Sequence, residues 1–141
     1  MFCSFTDVTA LVETKDGPDN PDNLFADLRS HNVFRKPRNK NGGGVALVMK
    51  KALRGFLRSD LDISGLEIIF VESIVLNLIF CVFYGPPCSI NHSLPKLFAH
   101  FRILPHTVIS RMVLLGDFNT SGVNWRTRTS DSTRGQSLLD A

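Results

Sequence analysis

Two periodicities divide this chain. Asp7-Val-Thr-Ala-Leu-Val12 is a short apolar run that stops at Glu13-Thr14, the pattern of a buried strand. Asp16-Gly-Pro-Asp-Asn-Pro21 breaks any regular element. Leu24, Phe25, Leu28 and His31 then recur at helical spacing behind Asp22 or Asn23 as a cap, which predicts a helix of about two to three turns. Asn32 to Lys36 and Gly44 to Met49 read as strands joined by a turn over Pro37 to Gly44, where Asn41-Gly42 is a hairpin signal. The glycines of that turn lack the Lys-Ser/Thr of a phosphate loop and the spacing of a dinucleotide fingerprint, so the hairpin reading stands.

Lys50 to Ser59 reads as a short helical turn or an irregular edge. Leu66 to Val75 and Leu78 to Tyr84 are two more strands, whose join near Asn77 is tight and poor in turn residues. Gly85-Pro86-Pro87 stops the second of them. Leu94, Leu97, Phe98, Phe101 and Leu104 follow at helical intervals up to Pro105. Met112-Val-Leu-Leu115 is an unbroken apolar run, the mark of a strand buried on both faces. Ser121 to Thr133 is a polar loop holding Trp125, and Arg134 to Asp140 begins a last helix.

With 141 residues and 43% apolar content, the chain can bury the core of one domain. Its most apolar stretch, Leu66 to Tyr84, is interrupted by Glu67, Glu72 and Asn77, far short of the roughly 20 apolar residues of a membrane span. No signal peptide is visible at Met1. Cys3, Cys81 and Cys88 form no CxxC pair, and His31, His92, His100 and His106 lie in no metal-ligand spacing. We therefore expect reduced thiols, an intracellular setting and no thiol metal site.

Charge changes the picture more than its net value of +3 suggests. Between Leu28 and Ser59 stand Arg29, Arg35, Lys36, Arg38, Lys40, Lys50, Lys51, Arg54 and Arg58, with no Asp or Glu among them. Such a segment suits a polyanion, nucleic acid first, and equally suits a solvated face of mixed loops.

Candidate chemistry gathers behind Gly116. Asp117 and Asn119, two apart, place an acceptor and a donor/acceptor on one side of a strand end if the chain stays extended. The plainer reading is a strand running into an Asp/Asn/Gly turn. Glu13, also at a strand end, says little by itself.

Together, four blocks say more. Val12-Glu13-Thr14 comes first, then Arg35-Lys-Pro-Arg-Asn-Lys-Asn-Gly-Gly-Gly-Val-Ala-Leu47. Val82-Phe-Tyr-Gly-Pro-Pro87 is third, and Leu115-Gly-Asp-Phe-Asn119 is fourth, with Trp125 and Arg134-Gly135 behind it. In this order they resemble the endonuclease domain of non-LTR (LINE-type) retrotransposons, within the endonuclease/exonuclease/phosphatase superfamily, over roughly Asp7 to Leu139.

The resemblance implies an α/β fold, part of a four-layer α/β sandwich with mixed, mostly antiparallel sheets. It implies Mg²⁺-dependent phosphodiester hydrolysis, with duplex DNA as partner through the basic segment 28–59. Glu13 would be the metal ligand. Tyr84 would contact the scissile phosphate, and Asp117 with Asn119 would orient or activate water and hold the phosphate. The family's Asn upstream of Glu13 and its C-terminal Ser-Asp-His have no counterpart, and Gly85 stands where Arg is frequent. The expectation is therefore a single domain over 1–141, truncated at both ends and inactive as it stands, nuclear if its parent element is active. Two other readings remain: a relic that at most binds nucleic acid, and a superfamily member acting on a phosphoinositide, a sphingolipid or an RNA tail.

Overall fold

The computed structural model describes residues 6–38, 42–120, 122–124 and 126–140. Cys3, Lys40, Asn41 of the expected turn, and Trp125 lie outside them. The strands are β1 (Val8–Val12), β2 (His31–Lys36), β3 (Val45–Lys50), β4 (Gly55–Leu57), β5 (Glu67–Ser73), β6 (Leu78–Tyr84), β7 (Met112–Asp117), β8 (Val123–Asn124) and β9 (Thr129–Ser130). The helices are α1 (Ile90–Ile103), α2 (His106–Ile109) and α3 (Thr133–Leu139).

Two sheets carry the fold. The first is antiparallel, in the order β1-β3-β2. The second runs β4-β5-β6-β7, antiparallel except for the parallel pair β6-β7, whose crossover holds α1. A two-stranded ribbon, β8-β9, interrupts what reads in the sequence as loop.

The period-two alternation of β5 and β6 divides their side chains between two cores. Ile69, Val71, Phe80, Val82 and Tyr84 face the first sheet and pack on Val45, Leu47 and Met49 of β3. Ile68, Phe70, Ile79, Cys81 and Phe83 face the other way, against Ile90, Leu94, Leu97 and Phe98 of α1. Each large apolar side chain so buried contributes about 1.5–3 kcal/mol. On the outer face of the first sheet, Ala26 and Phe25 cover Val48, Leu11 and Val33. The result is a mixed α/β sandwich of stacked layers, as the fold of the family implies.

The outermost of those layers corrects one expectation. Residues 24–31 form no helix: a 3-10 turn at Asp22–Leu24 is followed by turns, and His31 opens β2. The Asp27 carboxylate accepts the Arg29 backbone N–H at 3.0 Å and also binds the Arg29 guanidinium. Such local side-chain bonds compete with helical ones. His31 is buried because it begins a strand, with Nδ1 2.9 Å from Ser30 Oγ.

Two smaller differences follow from packing. Asn77 supplies the missing turn chemistry between β5 and β6 by adopting a left-handed conformation, while Leu76 N–H donates to Ser73 Oγ at 3.2 Å. Among the described residues the apolar run of β7 belongs to an edge strand: Val113 and Leu115 meet one core, Met112 and Leu114 the other, and only β6 pairs with it.

Gly116 sits opposite Phe83 in the parallel pair with φ 141°, and a Cβ there would overlap the Phe83 carbonyl oxygen. Gly116→Ala should lower the unfolding free energy by about 2–3 kcal/mol through strain and overpacking. A urea midpoint equal to that of the parent would contradict this account of β7.

Candidate active site

One end of the sandwich collects polar residues because strand direction and register put them there. Val12 pairs with Val45, Glu67 with Tyr84, and Tyr84 with Asp117. The C-terminal ends of β1, β6 and β7 and the N-terminal ends of β3 and β5 therefore share that end.

Glu13 leaves β1 in a left-handed conformation, φ 51°. Its Oε1 accepts the Tyr84 hydroxyl at 2.7 Å, a bond from the second sheet to the first. The Tyr84 ring belongs to the core between the sheets, and Glu13 itself is exposed. Asp117, also exposed, ends β7 beside Tyr84, and its carbonyl accepts Gly85 N–H at 2.9 Å. Asn119 donates its backbone N–H to Asp117 Oδ1 and its Nδ2–H to the Gly85 carbonyl, both at 2.9 Å. Since a carbonyl only accepts, Nδ2 must face Gly85, which leaves Asn119 Oδ1 as an available acceptor.

The structure thus brings Glu13, Tyr84, Asp117 and Asn119 to one end, though not by the expected geometry. The chain does not stay extended past Asp117: Asn119 has φ 43°, and the pair is closed by an Asp-capped turn.

The end is electronegative. Burial pushes the Tyr84 phenol up to about 12, helped by its bond to Glu13 and by the charges of Glu13, Glu67 and Asp117. At neutral pH Tyr84 is therefore a fixed proton donor, not a base. Glu67 is the residue that sequence reasoning missed, having counted it only as a charge against a membrane span. Its Oε2 accepts Gly44 N–H at 2.6 Å and its Oε1 accepts Arg38 Nη1 at 2.8 Å. The signal lay in the hairpin: counting outward from Ser73 and Leu78, position 67 falls opposite Tyr84.

The basic segment is largely neutralised by acids from outside it. Arg29 pairs with Asp27, Arg35 with Asp16 and Asp22, Lys36 with Asp62, Arg38 with Glu67, Lys50 with Asp7, and Arg58 with Asp60 and Glu72. Exposed Lys51 and Arg54 follow Lys50, at the end of β3 remote from Glu13.

Among the described residues no three acids, histidines or cysteines close into a metal cage. The donors that lie at that end, the Glu13 and Asp117 carboxylates and Asn119 Oδ1, are all oxygen. They fit a hard cation held by one or two carboxylates that keeps most of its waters.

The chain belongs to the endonuclease/exonuclease/phosphatase family, whose pattern it matches over residues 4–140. Membership implies metal-dependent phosphodiester hydrolysis in general, and the family's enzymes generally use divalent metal ions. No curated protein matches the chain. Among the described residues no helix is long and apolar enough to cross a membrane.

Tyr84 is the only tyrosine, so its ionisation can be followed directly by tyrosinate absorbance. The midpoint should lie near 12 rather than near the ordinary 10, and Glu13→Gln should bring it down. Because the folded value is raised, the stability linked to this group is present below about pH 10 and is lost as pH rises through about 12. An unshifted midpoint in the parent chain would contradict the Tyr84–Glu13 contact.

Proposed function

We propose that this chain is of the DNA-nicking endonuclease type found in LINE-type retrotransposons, built to hydrolyse a phosphodiester of duplex DNA with Mg²⁺, and that these 141 residues by themselves bind without cutting. The observation that carries the reading is the exposed Glu13 carboxylate, bonded to Tyr84 at the same end as Asp117 and Asn119. The order of the Glu-Thr, Gly-Gly-Gly-Val-Ala-Leu, Tyr-Gly-Pro-Pro and Gly-Asp-Phe-Asn blocks favours this branch over lipid or RNA-tail substrates.

In this reading Glu13 is the metal ligand, its Oε1 fixed by the Tyr84 hydroxyl. Bound Mg²⁺ would polarise the phosphoryl oxygen and offset charge developing on it. The Tyr84 hydroxyl, kept protonated by its surroundings, gives its one proton to Glu13 Oε1 and would donate to a phosphate oxygen only by exchanging that bond. Asp117, exposed and tied to the Asn119 N–H through Oδ1, accepts a proton from the attacking water, and Asn119 Oδ1 orients that water. The part of segment 28–59 that serves the substrate is its site end. There Arg38 remains 42% exposed despite its pair with Glu67 and can meet the DNA backbone.

A second reading, a relic that binds nucleic acid without cutting it, is favoured by the histidines. None of the four bonds to Glu13, Tyr84, Asp117 or Asn119, and His31 pairs with Lys50 at the other end of the first sheet. Absence of one positioned acid/base group costs about 10²–10⁴-fold in rate.

We expect the 141 residues alone to bind Mg²⁺ and duplex DNA, the latter falling steeply with salt. We also expect them to nick supercoiled plasmid no faster than Asp117→Ala. Failure to bind either ligand would refute the endonuclease reading. Nicking by the parent but not by Asp117→Ala would refute the relic reading and assign the missing role to one of the histidines.

A further inference from the structure

The glycine turn is the feature that the functional reading leaves unused. Gly43 has φ 78° and Gly44 φ 88°, both left-handed. A Cβ on Gly43 would collide with Arg38 Nε and Glu67 Oε2, and one on Gly44 with Thr14 Oγ1. These glycines therefore do more than turn the chain: they let two side chains come against its backbone. Glu67 comes from one side, only 16% exposed, and takes the Gly44 N–H and the Arg38 guanidinium. From the other side, the carbonyls of Gly43 and Gly44 accept the N–H groups of Lys15 at 3.0 Å and Thr14 at 3.4 Å. Those are the residues directly after Glu13, whose own left-handed backbone is strained for a side chain. Thr14 also donates to Asp16, which Arg35 clamps at 2.6 Å.

We propose that Glu67 is a positioning residue for Glu13, acting through the backbone of the Gly43–Gly44 turn. The inference rests on the reading of Glu13 as a metal ligand and adds the part that holds it. The path is short and continuous. The Glu67 carboxylate fixes the Gly44 amide, the two glycine carbonyls fix the amides of Thr14 and Lys15, and Glu13 is held toward Tyr84. Arg38, whose Nε donates to the Gly42 carbonyl at 2.8 Å, braces the same turn. An ordinary surface ion pair would have no such route to the site. Lys36–Asp62, also reached from the end of β2, touches none of these groups and serves as the comparison.

The test uses the whole chain with Glu67→Gln and, as a matched loss of an ion pair, Asp62→Asn. Amide hydrogen exchange is read at Gly44, Thr14 and Lys15 against the slowest core amides of β6. Glu67→Gln should speed exchange at those three positions by about 10- to 100-fold, the size of a lost charge-assisted hydrogen bond, and leave the core amides unchanged. Calorimetric Mg²⁺ affinity should fall about 10- to 100-fold in the same variant, the usual cost of losing a residue that supports a metal ligand. Asp62→Asn should change neither. If Glu67→Gln does not fold, Glu67→Asp, which withdraws the carboxylate by one methylene, is read in the same way. Exchange at Thr14 and Lys15 that matches the Asp62→Asn chain overturns the proposal. A parent chain that binds no Mg²⁺ removes the metal role of Glu13, and the exchange comparison then decides the role of Glu67 alone.

Discussion

The bond from the Tyr84 hydroxyl to Glu13 joins the two sheets at the end where Glu13, Tyr84, Asp117 and Asn119 gather. Apolar packing between β3 and the pair β5-β6 sets the distance between the sheets. It does not fix the polar rim, because a core of Val, Leu and Ile is indifferent to what lies at its edge. A directional bond between a partly buried phenol and an exposed carboxylate does fix it. Everything proposed for the site needs Glu13 and Tyr84 held in that relation, with Asp117 beside them through the parallel register of β6 and β7.

Much of the fold was legible because strands announce themselves by period and by what stops them. β1, β3, β6 and β7 fall where the apolar runs lie, and Gly85-Pro86-Pro87 ends β6 as expected. Positions 24–31 misled because Leu24, Phe25 and Leu28 keep helical spacing while Asp27 spends its carboxylate on the Arg29 backbone. Spacing records which side chains could share a face. It does not record a competing bond two residues away.

The site was legible in its members and not in its joints. Tyr84 and Asp117 end strands and Glu13 follows one directly, which sequence can show, whereas Asn119 lies in the turn after Asp117. That Glu67 stands opposite Tyr84 depends on hairpin register, and register depends on where β5 stops, which the apolar Ile74-Val75-Leu76 after Ser73 obscures. Charge is likewise only partly legible along the chain. The nine cations of 28–59 look uncompensated along the chain, yet Asp16, Asp62, Glu67 and Glu72 reach them from other elements. The two ends of the sandwich consequently differ. Glu72, lowered by Arg111 and then Arg58, is consumed in an ion-pair cluster. At the other end Glu13 and Asp117 carry no cation partner among the described residues.

That contrast yields the central claim, that a divalent cation is drawn to the Glu13 end and not to the other acids. Backbone chemical-shift mapping during a Mg²⁺ titration tests it most directly. The account predicts changes concentrated at Glu13 to Lys15, Tyr84 to Gly85 and Asp117 to Asn119. Changes concentrated instead around Asp60, Asp62 or Glu72, or none at saturating Mg²⁺, would contradict it.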